Sequence, residues 1–551
     1  MNWKTHEVTN VVADLKNYNL YSSDIALQEA VRRAGATVHE AELTRYGALL
    51  GDEASLRMAE DAHHFKPELH TFDRQGNRID RVEFHPAWHG FMSMAREQNL
   101  VAQPFNDPRP GAWAAYAAGF SMHGQIEPGS QCPNSMTFAC IPVLQKEPEL
   151  FEQLAPKLYS HTYDARDIPF EQKSSMLVGM GMTEKQGGSD VRANSTRATP
   201  LRGEGRGAEY EITGHKWFFS APMCDAHLVL ARTENGLSCF FVPRWHPDGS
   251  KNAIHIQRLK EKVGNRSNSS SEVEFLGAWG RMVGEEGRGI PTIIEMASYT
   301  RLNCVMGSAG TIRQALVQAI HYARGREAFG KRLADQPLMR NVLADMALES
   351  EAATQLMMRL TEAFALAEDT ESAPLQRAWK RIVTPAAKYW VAKRSIELAG
   401  EAMEVFGGNG YMDESPMGRL YREAPVISIW EGSGNVMALD MLRAVAREPD
   451  ALGALIGDLA TVCRDDARLR PHLEAIPRAL RQDGETLEFT ARREAQRLIL
   501  LIQARLLREF APAEVADAFI ASRFDDQWGR VFGTLPAGVK AEAIIERAFP
   551  V

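Results

Sequence analysis

The hydrophobic period of this chain changes twice, and those two changes set what it can fold into. Up to about Leu177 apolar residues recur at helical spacing between loops, with one small hairpin predicted over 71–78, turning at Gly76-Asn77. From there to about Val283, short alternating or apolar runs follow one another over 209–213, 216–220, 227–232, 237–242 and 272–275. Asn235-Gly236 and Pro247-Asp248-Gly249 divide them, because Asn and Gly tolerate the positive φ of tight hairpins. After Gly289 helical spacing returns through Ile293, Met296, Val305, Ala309, Ile312, Leu316 and Ile320, and again over 338–366, 375–406 and 435–446. Four long amphipathic helices with modest connections predict a bundle. Beyond Pro449 the pattern is again helical, most clearly over 487–510. The expected fold class is α+β. It comprises an N-terminal mainly helical domain (1–177), a central β-domain (178–285), a four-helix bundle (286–447) and an extra C-terminal helical domain (448–551).

Composition narrows the class further. At 551 residues the chain exceeds a single core and asks for roughly three or four domains. Hydrophobic residues at 44% and charged residues at 24% match ordinary globular proteins and exclude wholesale disorder. The longest aliphatic run, 498–502, falls far short of the ~20 apolar residues that span a bilayer. The N-terminus lacks the apolar stretch of a secretory signal, so a cytoplasmic location is expected. Cys132, Cys140, Cys224, Cys239, Cys304 and Cys463 form no Cys-x-x-Cys pair, which fits free thiols in a reducing compartment rather than a disulfide frame or zinc site. With 63 basic and 71 acidic side chains the formal charge is −8, which argues against a globally nucleic-acid-coating protein and leaves room for a local basic patch.

The usual nucleotide and metal signatures are missing, and His63-His64 reads as a solvated helix end, so no metal is expected. Five small-residue segments stand out instead. In Met180-Gly181-Met182-Thr183-Glu184-Lys185-Gln186-Gly187-Gly188-Ser189-Asp190 the glycines free backbone N–H groups for a ligand, and Thr183 and Ser189 add hydroxyls; an ordinary turn would use the same residues. In Lys216-Trp217-Phe218-Phe219-Ser220, a strand would put Phe218 and Ser220 on one side, although consecutive aromatics are also ordinary core. Arg326-Glu327-Ala328-Phe329-Gly330 runs on to Gln336 between two helices, with Gly330 as a plausible C-cap. Phe406-Gly407-Gly408-Asn409-Gly410-Tyr411 offers a nest for a pyrophosphate or simply a helix stop. In Ile429-Trp430-Glu431-Gly432-Ser433-Gly434-Asn435, Ser433 or Asn435 is a candidate helix cap, and Glu431 is a carboxylate whose apolar neighbours would raise its pKa toward that of a useful base.

The order and spacing of these motifs resemble the acyl-CoA dehydrogenase superfamily over roughly residues 45–447. Phe84-His85-Pro86-Ala87-Trp88-His89, the Thr183–Asp190 loop, the Ser428–Asn435 segment and the C-terminal extension are similar to the DNA-alkylation-response branch of that superfamily. The resemblance implies non-covalent FAD. It puts Met180, Gly181, Met182, Thr183, Phe218, Phe219 and Ser220 beside the flavin and Gly188 and Ser189 at the pyrophosphate. Arg326, Phe329 and Gln336 go to the adenosine half of a neighbouring subunit's FAD, in a homotetramer, and Gly407, Gly408, Ile429, Trp430, Ser433 and Asn435 complete the cofactor set. It makes Glu431 the base that removes the α-proton of an acyl-CoA thioester, with Arg301, at the start of a bundle helix, in a supporting electrostatic role.

Departures from the family pattern qualify these expectations. Lys185 replaces a proline, Glu404 a glutamine and Trp430 a frequent tyrosine; the larger indole favours short or branched acyl groups such as isovaleryl. Residues 451–551 carry 14 basic residues, all but Lys540 arginine, against 15 acidic ones. Arg464, Arg468, Arg470, Arg478, Arg481, Arg492, Arg493 and Arg497 cluster there, the side chain suited to bidentate phosphate contacts, although interleaved acids also describe a salt-bridged helix face. Two functions follow: an FAD-containing protein that protects double-stranded DNA against alkylation damage, with weak acyl-CoA dehydrogenation, or a dedicated short-chain acyl-CoA dehydrogenase with no DNA role.

Overall fold

The computed structural model describes residues 5–366, 372–525, 529 and 531–550. Helices α1 (Ile25–Arg33), α2 (Glu40–Gly51) and α3 (Glu53–His64) lead into the hairpin β1 (Glu68–Phe72) and β2 (Arg78–Glu83), which turns through Gly76 at φ +86° as predicted. Helices α4 (Pro86–Glu97), α5 (Gln103–Asn106), α6 (Ala112–Ile126), α7 (Gln131–Leu144) and α8 (Pro148–Leu158) follow. The strands are β3 (Val178–Gly181), β4 (Arg197–Arg202), β5 (Glu209–Ser220), β6 (Ala226–Thr233), β7 (Gly236–Pro243), β8 (Ile254–Leu259) and β9 (Ser270–Val283). Then come α9 (Gly289–Gly325), the short hairpin β10 (Glu327–Ala328) and β11 (Lys331–Arg332), α10 (Pro337–Ala365), α11 (Ala373–Ala378), α12 (Thr384–Phe406), α13 (Pro416–Ile429) and α14 (Gly434–Arg447). Among the described residues the extension carries five helices: α15 (Pro449–Cys463), α16 (Arg470–Ala479), α17 (Gly484–Phe510), α18 (Ala513–Arg523) and α19 (Ala541–Ala548).

The chain divides into two compact units, which cut across the four expected domains. One takes in Ala54–Ala112 and Ile126–Asn303. Its pairings β4–β5–β9–β7–β6–β4 close into a ring, with β3 flanking β6 and β8 flanking β9, so the expected β-domain is a small barrel. Closure leaves few free edges to recruit other chains. The predicted runs 209–213 and 216–220 are one strand, because register shifts at Ile212/Thr213 and Lys216/Phe219 absorb Gly214 without ending the ladder. The interior is filled by Tyr210, Ile212, Phe219, Phe240, Val242, Val273, Phe275 and their neighbours.

The other unit takes in the residues up to Glu53, Trp113–Gln125 and those from Cys304 onward. Five bundle segments replace the four expected, since α13 was hidden by Pro416 and Pro425; Pro416 stands at the helix start, where a missing N–H does no harm. Five π-helical residues, Trp379–Val383, join α11 to α12, and the Thr384 hydroxyl donates to the Trp379 carbonyl at 3.1 Å. The extension is part of this bundle: α17 packs on α10, α12 and α14, and α19 packs on α10 and α1. Arg523 of α18, fully buried, is 2.5 Å from Asp345 and 3.2 Å from Glu349 of α10, and Arg394 of α12 lies 3.1 Å from Glu349. Arg547 of α19 reaches both Glu29 (2.5 Å) and Glu351 (2.9 Å). Buried cations must be matched by carboxylates, since leaving one partner alone costs about 3–5 kcal/mol.

Candidate active site

In the barrel unit the Thr183–Asp190 loop is fastened by an ion pair. Glu184 and Lys216 are completely buried and 2.8 Å apart. The same carboxylate accepts from Gln186 Nε2 (2.7 Å), Ser195 N (2.7 Å), Ser195 Oγ (2.9 Å) and Thr196 N (3.1 Å). Burial works against its charge, but Lys216 and these donors outweigh burial and hold the carboxyl far below the usual carboxylate range. Burial draws Lys216 down to about 8 against the pull of Glu184, so the pair is ionised at neutral pH. Gly188 lies over Thr183, where an added β-carbon would come within 2.4 Å of the hydroxyl. Met182 and Thr183 are half-buried and Gly188 and Ser189 exposed. Asn194, a residue sequence reasoning missed, donates to the Met182 carbonyl at 2.8 Å, while its buried Oδ1 meets no donor among the described residues.

At the end of β5 the side chains alternate. Phe218 is 53% exposed and Ser220 half-buried, whereas Phe219 is 1% exposed within the barrel core. The Phe219 ring stacks on His227 at 3.9 Å, and His227 Nε2 donates to the Ser220 carbonyl at 3.2 Å. Burial pulls His227 down to about 3. The two small-residue motifs meet here. The Phe219 side chain packs in the barrel core, and a β-carbon on Gly181 would lie 2.7 Å from its ring. Met180 is likewise buried. Immediately after Ser220, Ala221 takes φ +52°, an unusual conformation for a residue with a β-carbon. Lys260 lies 3.6 Å from the half-buried Trp217 ring and 4.5 Å from the exposed Phe218 ring. Arg301 is buried along α9, twelve residues past its first residue rather than at its start.

In the helical unit, Gly330 is not a C-cap. Glu327 pairs with Arg332 and Ala328 with Lys331, so Phe329 (φ +55°) and Gly330 (φ +74°) form a two-residue hairpin turn. That turn presents Phe329 at 99% exposure. Arg326 donates to the Asn10 carbonyl and Gln336 Nε2 to the Ala328 carbonyl (3.0 Å), so both brace the hairpin from inside the chain. Gly407 and Gly408 are exposed, and a β-carbon on either would meet nothing within 4 Å.

Between α13 and α14, Glu431 holds φ +56° and Gly432 φ +105°. Glu431 is half-buried. Trp430 packs against Cys304, Ala392 and Ile427, and its buried Nε1 has no acceptor among the described residues. Ser433 stands at the N-cap of α14 but makes no side-chain capping bond, so its hydroxyl is not committed to the helix. Ile429 and Asn435 are exposed. Of the extension's arginines, Arg468, Arg478 and Arg497 pair with Asp466, Glu474 and Glu494. Arg464, Arg470, Arg481, Arg492 and Arg493 are exposed and form no ion pair among the described residues. Among those residues no group of three metal-ligating side chains occurs, and no helix is long and apolar enough to cross a membrane.

Three family profiles match in chain order: the adaptive response protein AidB N-terminal domain over residues 10–165, the acyl-CoA dehydrogenase middle domain over 179–277, and the acyl-CoA dehydrogenase C-terminal domain over 287–446. The chain is 45% identical over 533 residues to the putative acyl-CoA dehydrogenase AidB of Escherichia coli (strain K12), covering 96% of both. Its fold resembles Caenorhabditis elegans ACDH-11 in complex with C11-CoA, at 25% identity and TM-score 0.84 over 96% of each chain. It also resembles the apo form of Bd2924, at 28% identity and TM-score 0.82 over 91% of this chain and 100% of that one. A relative matched nearly end to end, with all three domains in order, leads to one conclusion: this chain belongs to the acyl-CoA dehydrogenase family of FAD-dependent oxidoreductases, in its AidB-like branch.

Proposed function

We propose that the chain holds FAD non-covalently, that Glu431 is the base of a dehydrogenation of short or branched acyl-CoA, and that the extension binds duplex DNA in a protein that protects it against alkylation. The observation that carries the chemical half is the Glu431 turn, a half-buried carboxylate on a backbone at φ +56°. Such strain costs about 1–3 kcal/mol and persists where surroundings over-determine it, typically at functional sites. Phe218 on the barrel, and separately Phe329 and Ile429 on the helical unit, leave large apolar surfaces uncovered, which suits contacts to an apolar ring system. The barrel's own proposed cofactor contacts are Met182, Thr183, Gly188, Ser189, Phe218 and Ser220; those of the helical unit, taken by itself, are Phe329, Gly407, Gly408, Ser433 and Asn435.

When bound, FAD supplies the hydride acceptor. Glu431 takes the α-proton as the general base. The Glu431 backbone N–H hydrogen-bonds the thioester carbonyl as enolate charge develops, with Arg301 in support. Trp430 limits the acyl group to short or branched chains such as isovaleryl. Glu431→Gln is expected to cut isovaleryl-CoA-dependent flavin bleaching to a small residual rate; a loss no larger than that of an unrelated surface change would refute the assignment.

The DNA half rests on the five unpaired arginines of the extension, which suit phosphate contacts. Because α17 is woven into the bundle, its test is charge removal rather than deletion. Replacing Arg481, Arg492 and Arg493 by Gln should weaken duplex binding and flatten its dependence on salt, each lost phosphate contact reducing the log–log slope by about 1. Unchanged affinity would favour the dedicated dehydrogenase. Strongly exposed Phe329, Leu338 and Tyr411 support an assembly, proposed here as a homotetramer, and six buried free cysteines support a cytosolic home.

A further inference from the structure

A residue with a β-carbon does not stay at φ +56° unaided, because the left-handed backbone drives its β-carbon against the neighbouring carbonyl at a cost of about 1–2 kcal/mol. Around Glu431 the restraint is visible. Lys388 of α12 is 1% exposed, and its Nζ lies 2.8 Å from the carbonyl oxygen of Trp430 and 2.5 Å from that of Gly432. These are the carbonyls immediately before and after Glu431. One ammonium therefore grips the turn on both sides of the residue it distorts. The Trp430 carbonyl follows the end of α13, where helix carbonyls lack intrahelical donors. A lysine has three donors and no acceptor, so directing two of them at this turn gives it two fixed points. Gly432, at φ +105°, completes the reversal, with a would-be β-carbon 2.4 Å from Met437 Cε.

We infer that Lys388 is a positioning residue: its two hydrogen bonds hold the 430–432 backbone in the left-handed form and so aim the Glu431 carboxylate at the α-carbon of the bound thioester. This rests on Glu431 being the base. In this scheme Lys388 acts on the 430–432 backbone through the Trp430 and Gly432 carbonyls. Its effect reaches the reaction only through the orientation of Glu431.

The test uses FAD-loaded protein and anaerobic flavin bleaching by isovaleryl-CoA, with three variants, Lys388→Met, Lys388→Arg and Glu431→Gln, and the Lys388→Met/Glu431→Gln double variant. Misaiming a catalytic group by about 1 Å costs on the order of 100-fold, so Lys388→Met should slow bleaching by about that factor with half-saturation by thioester changed less than about threefold. Lys388→Arg, which keeps a donor fork, should recover most of the rate. In the Glu431→Gln background Lys388→Met should cost nothing further, since the group it aims is already gone. Lys388→Met at the wild-type rate, or slowing both backgrounds equally, would overturn the inference while leaving Glu431 as base. Bleaching slowed by Glu431→Gln no more than by an unrelated surface change would overturn the base assignment and the positioning role with it. Should Lys388→Met not retain FAD, Lys388→Gln takes its place, and a loss confined to half-saturation rather than to the maximal rate counts against the inference.

Discussion

The pH response of the barrel tests the packing beneath Phe218 and Ser220. His227 is 2% exposed, stacked on Phe219, and drawn by burial from 6.5 to about 3. Its neutral form is therefore favoured on folding. Above pH 6.5 the ring is neutral in both states and imposes no penalty. As pH falls from 6.5 toward about 3 the unfolded chain takes up the proton and the folded one does not, so stability declines by about 1.4 kcal/mol per pH unit. Between pH 7 and pH 5 the loss is about 2 kcal/mol, roughly a 30-fold rise in the open population. Hydrogen exchange of amides in β5 and β6, corrected for intrinsic rates, reads that population. His227→Gln offers an amide N–H to the Ser220 carbonyl but does not titrate, and its protection should fall by about 2 kcal/mol less than that of the wild type over the same interval. Equal losses in the two proteins would show that His227 is protonated within the folded barrel.

Two further outcomes follow from the helical unit. Arg523→Met leaves Asp345 facing Glu349 and Arg394 without its cation, and should lower stability by about 3–5 kcal/mol, read as a shift in the urea midpoint of the helical signal; an unchanged midpoint would refute the buried network as a determinant. Phe329→Gly relieves a left-handed aromatic and removes a fully exposed ring, so thermal stability of the isolated subunit should hold or rise by about 1 kcal/mol while FAD content and assembly mass fall; full FAD occupancy in an unaltered assembly would rule out the ring as a cofactor or subunit contact.

The sequence by itself determined the succession of helix, sheet and helix, because hydrophobic period is a local property that survives without knowledge of partners. The β-region at 178–283, the long helices after Gly289 and the helix over 487–510 all lie where periodicity predicts them. The order of the motifs also carried the family, which the comparisons show. Tertiary structure decided what each residue within a motif is for. Glu184 and Gly181 belong to the same segment as Thr183, yet one fastens the loop to Lys216 and the other makes room for Phe219. Gly330 fits a helix end or a hairpin turn equally well until the pairing of β10 with β11 chooses. Eight clustered arginines look alike in sequence, and only folding pairs three of them with acids. The extension reads as an appendage and proves to be part of the bundle, through Arg523 and Arg547 reaching carboxylates far away in the chain. Burial and ion pairing depend on residues distant in sequence and adjacent in space, so they come into being only when the chain has closed on itself.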